Sequence, residues 1–215
     1  ITASKNSLLV AFISTILSVL IAYILAYTLN RVNIKLKKFF KVVFVLPMLI
    51  PSVSHGLGLI NLFGNNGIIS RYFDFNIIGP IGIIIGSIMY SFPVAFLMLD
   101  DGFKYIDNNM YYVSKSLNLN SFQIFKNVTL VYLKKSILSS IFAVFTMIFT
   151  DYGVPIAVGG KFNTLPVFLS KEVIGLLDFS KGTMIAIFLL IPAIISFLVD
   201  TFVKDYNNEN TGNKN

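Results

Sequence analysis

The chain contains no cysteine and no tryptophan, and it has a single histidine. Without cysteine it can form neither a disulfide nor a thiolate metal site, and it has no cysteine nucleophile. One histidine, His55, cannot build a metal site that needs several histidines. Because tryptophan is absent, an aromatic belt at a membrane surface has to rely on tyrosine. These absences exclude a disulfide framework and a metal centre built from cysteine or from several histidines.

Charged residues are also scarce. They make up 13% of the 215 residues, whereas 55% are hydrophobic. A soluble domain carries about a quarter charged residues, so the apolar excess is expected to face lipid. The formal net charge is +7, but the basic residues lie mostly in segments that flank apolar runs. That placement indicates membrane topology rather than nucleic-acid binding.

Long apolar runs account for most of the chain. A helix needs about 20 residues to cross the bilayer core. Five candidate runs cover residues 7–29, 42–63, 77–99, 136–150 and 182–203. The sequence therefore predicts an all-α protein, a polytopic helical membrane bundle with about five transmembrane helices. We expect a transmembrane domain over residues 1–204 and a polar, disordered tail over residues 205–215.

Helix breakers interrupt the second and fourth runs. Pro47 and Pro51 lie within the second, and the fourth is short and leads into the Gly/Pro-rich segment DYGVPIAVGG at 151–160. A short span that leads into a broken segment is typical of a discontinuous helix beside a substrate path. Residues 162–178 are predicted to form an amphipathic helix at the membrane interface.

Small residues recur at helical spacing in two of the runs. Ser14, Ser18 and Ala22 do so in the first run, and Gly82 and Gly86 form a G-x-x-x-G pair in the third. Such spacing allows helices to approach closely. We interpret these positions as packing contacts.

A polar segment at residues 105–135 separates the third and fourth runs. It shows helical periodicity, a break at Asn118 and a second helical piece from Ser121. Apolar residues recur through both pieces, a pattern that suits a short helix lying against a protein partner at the membrane surface.

The distribution of Lys and Arg predicts the orientation. If residues 105–135 lie in the cytoplasm, twelve of the 17 Lys and Arg residues fall inside and five outside. The positive-inside rule then favours an N-terminus outside and a C-terminus inside. Since the chain begins with Ile1, we expect that it is part of a longer protein.

The polar segment resembles the coupling motif of ABC importer permeases, the binding-protein-dependent (MetI-like) inner-membrane family. That motif has the form E-A-A-x-x-L-G and is followed by V-T-L-P. Here residues 112–118 read YVSKSLN and residues 128–131 read VTLV. The Glu and both Ala residues are replaced, and Asn118 stands at the Gly position, where Asn is the next-best residue for a left-handed turn.

The resemblance covers nearly all of residues 7–204. The order of the runs and the segment GPIGIIIGSIMYSFPVAFLML at 79–99 are similar to the permease core. Residues 150–182 are similar to the ferric-iron and 2-aminoethylphosphonate branch, many of whose members fuse two cores in one chain. Phosphonate, ferric iron, thiamine and polyamine systems share this plan, so the substrate stays open; DYGVPIAVGGKFN favours 2-aminoethylphosphonate or ferric iron.

The resemblance implies a mechanism and a set of partners. Two permease cores form the substrate pathway in a bacterial cytoplasmic membrane, and an extracytoplasmic binding protein delivers the substrate. Each core docks an ABC ATPase subunit, which binds the ATP, so the chain itself is not an enzyme and binds no cofactor directly. The residues assigned to ATPase coupling are Tyr112, Val113, Ser114, Leu117, Asn118, Phe122 and Phe125. Phe122 and Phe125 are expected to fill an apolar groove on the ATPase.

Polar residues within or beside the spans are candidates for the substrate pathway. They are His55, Asn61, Tyr90, Thr150, Asp151 and Tyr152. Charged groups at membrane depth often face a pathway or a partner. Two of these candidates have a structural alternative, since Asp151 is also placed to cap a turn before Gly153 and His55 to pack as a hydrogen-bonded core residue.

Two other classes of protein compete with the importer. A secondary transporter driven by an ion gradient needs ionisable residues within the membrane, and His55 and Asp151 are the candidates. An intramembrane enzyme needs paired carboxylates, a Ser/His pair or a histidine cluster, and the spans contain none of these.

Overall fold

The computed structural model describes residues 2–70 and 77–212, and within these ranges the regular structure is helical throughout. The all-α prediction is therefore confirmed. The helices are α1 (Thr2–Arg31), α2 (Lys37–Val45), α3 (Ser52–Phe63), α4 (Pro80–Lys104), α5 (Asn108–Ser116), α6 (Ser121–Ile124), α7 (Leu130–Phe149), α8 (Gly153–Val158), α9 (Leu165–Ser170) and α10 (Phe179–Gly212). Arg71 and Lys214, which entered the orientation count, lie outside the described residues.

Helices α1 and α4 form the centre of the bundle. The predicted small-residue stripe of α1 is fully buried, with Ser14, Ser18 and Ala22 each at 0% exposure. Where the two helices meet, Ser18 Oγ and Ser91 Oγ lie 2.8 Å apart and share a hydrogen bond. The small side chains let the two backbones approach closely, and the hydroxyl pair satisfies itself within the apolar seam.

The glycines of α4 serve the same purpose against α8. A Cβ placed on Gly86 would lie 2.6 Å from Val154 Cγ1, and one placed on Gly82 would lie 3.3 Å from Val158 Cβ. Both partners are fully buried. The predicted packing role of the Gly82/Gly86 pair is thus confirmed.

The second apolar run is a sharply bent pair of helices. Helix α2 leads through a 3₁₀ turn, Leu46–Leu49, to α3, and the two halves meet at 96°. Pro47 and Pro51 lie at this break, and Ile50 is extended (φ −94°, ψ 130°). Proline lacks the N–H that would continue the helical ladder and disfavours a helical residue before it, so the bend follows from the sequence.

The fourth run is longer than the sequence predicts. Helix α6, a π-helical turn at Phe125–Thr129 and α7 form one continuous span of 29 residues, Ser121–Phe149. The prediction of a short span at residues 136–150 is therefore wrong. Backbone hydrogen bonds do not depend on side-chain polarity, and the stems of lysines at a helix end lie along apolar surface while their charges reach water. The polar residues 121–135 consequently extend the helix instead of ending it.

Two further segments differ from their predictions. The interfacial helix predicted over residues 162–178 is confined to α9 and the π-helical turn Lys171–Gly175, because the chain is irregular before Leu165. At the C-terminus, α10 continues through residues 205–212, where the sequence predicts disorder. A preformed apolar helix lowers the cost of adding further helical residues, since nucleation has already occurred.

The membrane-spanning elements agree with the predicted bundle. Among the described residues, four helices are long and apolar enough to cross a membrane, and the bent pair α2–α3 makes up to five. Contacts between distant residues mark the two ends of the bundle. Asn30 and Asp100 meet at one end, while at the other Ser7 Oγ accepts a hydrogen bond from Leu165 N at 2.7 Å.

Candidate coupling surface and substrate cavity

The polar segment folds into two short helical pieces joined by a tight turn. Asp107 begins α5 by accepting a hydrogen bond from Asn109 N at 2.9 Å. Asn118 follows the end of α5 with φ 55°, the left-handed conformation that the sequence predicts for a break at this position. Asn120 then starts α6 with a reciprocal capping box to Gln123, with 2.9 Å in each direction. Each end of the turn is therefore fixed by its own side chains.

An exposed apolar patch lies on these two pieces. Four of the predicted coupling residues are exposed and form what we call the coupling surface: Tyr112 (68% exposed), Val113 (56%), Leu117 (67%) and Phe122 (71%). Large apolar side chains grouped on one exposed surface mark an interaction site.

Two of the predicted coupling residues face inward instead. Ser114 is buried, and its Oγ donates to Met110 O at 2.7 Å. Phe125 is half-buried and packs edge-on against Tyr23 of α1, with ring centroids 5.9 Å apart. The structure thus places Phe125 against this chain's own first helix, where the sequence placed it in a partner's groove. Helical spacing puts Phe122 and Phe125 on neighbouring positions, but only the packing of α1 decides which one stays outside.

The coupling surface is tied to the spans by two contacts that the sequence did not reveal. Tyr111 of α5 shares a hydrogen bond with Thr129 Oγ1 in the π-helical turn, at 2.8 Å. The guanidinium of Arg31, at the end of α1, lies 3.7 Å from the centroid of the Tyr111 ring. Tyr111 therefore connects α5 to both α1 and the helix that leads into α7.

A buried ion pair lies at the same end of the bundle. Both carboxylate oxygens of Asp100 lie 2.6 Å from Lys41 Nζ, and Asn30 Nδ2 donates to Asp100 Oδ1 at 2.7 Å. The pair joins α2, α4 and the end of α1. The sequence does not predict this pair. A carboxylate at the end of one apolar run and a lysine in an earlier basic loop do not indicate that the two meet.

Several pathway candidates converge on one cavity near the end of α7. This cavity of about 530 Å³, here called the Asp151 cavity, is lined by Tyr90, Thr150, Asp151 and Tyr152 together with the bend at Pro51. Asp151 is the one charged residue among the described residues that line it. Its carboxylate also accepts hydrogen bonds from Gly153 N at 3.2 Å and Val154 N at 3.0 Å. Asp151 caps α8 and also faces the cavity. It is therefore placed for both roles that the sequence suggests, a turn cap and a pathway residue.

The other two pathway candidates lie outside this lining. His55 is buried at the start of α3, with Nδ1 3.4 Å from Pro51 O and its ring 6.0 Å from that of Tyr90. It packs behind the cavity wall. Asn61 lies further along α3 on an exposed position. Within the described ranges, His, Cys, Asp and Glu side chains form no group of three that could hold a metal ion.

The chain as a whole matches a known family of transport proteins. Residues 9–206 match the family described as "Binding-protein-dependent transport system inner membrane component". The match covers most of the chain, so the chain belongs to this family, which is the permease family that the coupling motif and the order of spans indicate. The family is one of inner-membrane transport permeases.

Individual relatives are identical to this chain at about a quarter of the aligned positions. The ferric transport system permease protein FbpB of Actinobacillus pleuropneumoniae is 26% identical over an alignment of 204 residues that covers 91% of this chain and 30% of that protein. The PotC homolog of Mycoplasma genitalium, a spermidine/putrescine transport system permease protein, is 29% identical over 161 residues, 74% of this chain and 55% of that protein. This chain therefore spans about a third to about half the length of these relatives.

A solved structure shows the same fold. A chain of the inward-facing MetNI methionine ABC transporter superposes with a TM-score of 0.72 over 94% of each chain, at 16% sequence identity. Identity this low shows the fold alone. The superposition confirms that the chain has the helical fold of a MetI-like ABC permease.

Proposed function

We propose that this chain is the transmembrane permease core of an ATP-driven importer, which forms the substrate pathway and docks a cytoplasmic ATPase through its coupling surface. The observation that carries the proposal is the exposed patch of Tyr112, Val113, Leu117 and Phe122 at one end of a membrane bundle. A soluble partner with an apolar groove is the complement of such a patch. ATP then binds and reacts on the ATPase subunit.

The continuous helix α6–α7 supports a mechanical role. It begins beside Phe122 on the coupling surface and ends at Thr150 and Asp151 on the Asp151 cavity. Over 29 residues it extends about 43 Å. A displacement of the coupling surface by the ATPase would therefore reach the cavity through one rigid element, with Tyr111 holding α5 to it.

The remaining partners follow from the same reading. The end of the bundle that carries the coupling surface also carries Lys41 and Arg31, so the positive-inside rule favours that end as cytoplasmic and the N-terminus as outside. An extracytoplasmic binding protein would then meet the opposite end. Helix α10 is only 6% buried over its apolar window, and this surface is available to lipid and to a second permease core, separate or fused.

The cargo that best fits the cavity is cationic. Asp151 supplies a carboxylate, and the described lining residues include no lysine or arginine. A carboxylate attracts a wholly cationic cargo, whereas it attracts the ammonium group of 2-aminoethylphosphonate but repels its phosphonate. Relatives of this chain are named as ferric, polyamine, molybdate/tungstate and sulfate permeases, so it is the carboxylate in the cavity that leads us to favour ferric iron over 2-aminoethylphosphonate.

The docking proposal is tested with Leu117→Ala/Phe122→Ala. Truncating two exposed apolar residues in an interface is expected to weaken association with the ATPase about 30-fold or more, the scale of interface hot spots. The matched control is Ile174→Ala/Leu176→Ala, which truncates two equally exposed residues after α9. Co-purification and titration with the ATPase measure the effect.

Equal ATPase affinity of the two double variants would contradict docking at the coupling surface. Both variants remove side chains that are exposed in the free chain, so membrane insertion and thermal stability in detergent are expected to stay unchanged. A loss of stability in the first variant alone would show that the patch is covered by this chain rather than by a partner.

A further inference from the structure

Another cavity lies along α7, and we call it the Ser139 cavity. Its volume is about 620 Å³, and α4, α7 and α10 form its walls. Met98 of α4 lines it, two residues before Asp100, which pairs with Lys41 at the end of the bundle that carries the coupling surface. The Ser139 cavity therefore lies between the Asp151 cavity and the end of the bundle that we assign to the cytoplasm.

One face of α7 and its C-terminal end line both cavities. The Ser139 cavity is lined by Ser139, Ala143, Thr146 and Met147, and the Asp151 cavity by Met147 and Thr150. These positions recur every three or four residues, so they lie on the same face of the helix. From Ser139 to Thr150 this face extends about 16 Å. Met147 is the residue of α7 that the two cavities share.

Met147 is the one large side chain on this face of α7. Its neighbours on the face are serine, alanine and threonine, whose small side chains leave open space beside the helix. Methionine has three rotatable bonds and adapts its shape to its surroundings. Met147 can therefore close the junction of the two cavities in one rotamer and open it in another.

The lining of the Ser139 cavity indicates water rather than lipid. Hydroxyls are supplied by Ser139, Thr146 and Ser196, and none of the described residues that line the cavity is charged. Ser139 is 8% exposed, and its hydroxyl has no hydrogen-bond partner within the described ranges. A buried hydroxyl at membrane depth costs free energy unless it finds a partner. Water or a polar cargo in the cavity provides that partner.

We propose that the Ser139 cavity is the cytoplasmic segment of the substrate pathway and that Met147 is the movable constriction between it and the Asp151 cavity. The inference rests on the proposed function, because it concerns the route of the cargo beyond the Asp151 carboxylate. Conduction needs sites that bind a cargo well enough to be entered and weakly enough to be left. A cationic cargo would be held by the carboxylate and released into a neutral space lined by hydroxyls.

Helix α7 connects this constriction to the coupling surface and to α10. Thr146, next to Met147, donates a hydrogen bond to Pro192 O of α10 at 3.1 Å. Pro192 has no N–H and so interrupts the hydrogen-bond ladder of α10, which makes this wall of the cavity easier to bend. A displacement of α7 would therefore move Met147 and the α10 wall of the cavity together.

The first test measures water access and uses the absence of cysteine from the chain. Ser139→Cys and Ile141→Cys are treated with a membrane-impermeant methanethiosulfonate in inside-out vesicles that hold the assembled transporter with cysteine-free partners. Ser139→Cys is expected to react about tenfold faster or more, because a thiol ionises where water reaches it and stays protonated in apolar surroundings. Ile141→Cys is the matched control, since Ile141 is 38% exposed but lines an apolar groove between α1 and α7.

The second test probes Met147 through Thr150→Cys, which lies beyond it in the Asp151 cavity. Met147→Ala is expected to raise severalfold the rate at which the reagent reaches this thiol from the cytoplasmic side, and Met147→Trp is expected to lower it. Met98→Ala is the control, because it removes an equal side chain that lines the Ser139 cavity and not the Asp151 cavity. An unchanged rate for Ser139→Cys in each background shows that the fold is intact.

Equal rates for Ser139→Cys and Ile141→Cys would overturn the proposal, because lipid or a second permease core would then fill the cavity. Equal rates for Thr150→Cys in the Met147→Ala and Met98→Ala backgrounds would also overturn it, since Met147 would not be the constriction. Both measurements omit ATP. Their failure is therefore distinct from a failure of the proposed function, which the ATPase titration of the coupling-surface variant measures.

Discussion

At the scale of single residues, the contact between Lys41 and Asp100 ties together three elements at one end of the bundle. The Asp100 side chain is 7% exposed and that of Lys41 27%. Removing one partner of a buried ion pair leaves a charge without compensation, whereas replacing both by apolar residues is often close to neutral. Two helices and the end of a third depend on this pair, so its loss would be felt across one end of the bundle.

We therefore expect Lys41→Met to destabilise the protein by about 1–3 kcal/mol, since Lys41 is partly exposed and Asn30 still donates to Asp100, measured by unfolding in detergent. Lys104→Met is the matched control, because Lys104 pairs with Asp101 at 3.1 Å with both side chains 59% exposed. An exposed pair contributes about 0–1 kcal/mol. The double variant Lys41→Met/Asp100→Leu should recover most of the loss. Equal effects of Lys41→Met and Lys104→Met would contradict the buried-charge explanation.

The sequence predicts two roles for Asp151. Its position before Gly153 predicts a cap, and its place at the end of an apolar run predicts a pathway residue. Its two hydrogen bonds to the start of α8 confirm the cap. Its pathway role stays a prediction, supported by the cavity that Tyr90 and Tyr152 also line.

At the scale of elements, the contact between α4 and α8 sets the position of the Asp151 cavity, because α8 begins at its rim. The two helices meet where Gly86 faces the fully buried Val154. A side chain larger than hydrogen at Gly86 must displace the fully buried Val154 side chain, which packs α8 against α4. Gly58 of α3 provides the contrast, since a Cβ there would meet no atom within 4 Å.

Gly86→Ala is accordingly expected to destabilise the protein by about 1–3 kcal/mol, the usual cost of overpacking. Gly58→Ala is expected to be neutral or to stabilise by up to about 1 kcal/mol, because alanine is the better helix former. Thermal unfolding of both variants in the same detergent decides the matter. If Gly86→Ala were as stable as Gly58→Ala, the close approach of α4 and α8 would be incorrect.

The polar segment shows where element boundaries escape the sequence. The turn at Asn118 is predictable, since few residues other than glycine adopt a left-handed conformation as readily as asparagine. The continuity of residues 121–149 is not predictable from hydropathy, which changes near Lys135 while the backbone stays helical. The backbone hydrogen bonds of a helix stay the same where it passes from the membrane into water.

At the scale of the whole molecule, the proposed importer makes a prediction about energy source and cargo. Proteoliposomes that contain the chain with its ATPase, binding protein and second core are expected to take up ferric iron on addition of ATP, with a protonophore present. Asp151→Asn is expected to lower kcat/KM for this uptake about tenfold, as for the loss of one charge-assisted contact. Asp178→Asn, a partly exposed cap at the start of α10, serves as the control.

Uptake that stops with the protonophore and ignores ATP would instead favour the secondary transporter. Preferential uptake of 2-aminoethylphosphonate, unchanged by Asp151→Asn, would show that the carboxylate does not select the cargo. Both outcomes can be separated from a failure of assembly, since co-purification with the ATPase is measured independently.

The amino-acid sequence by itself determined the helical class, the membrane-spanning runs except for the extent of the fourth, the small-residue seam of α1, the bend at Pro47 and Pro51, and the turn at Asn118. All of these depend on hydrophobic periodicity or on the backbone preferences of one or two residues, which act locally. Only the tertiary structure decided which distant groups meet: Asp100 with Lys41, Phe125 with Tyr23, and Tyr90 with Asp151 in one cavity wall. These partners lie tens of residues apart, and their meeting depends on how whole helices pack.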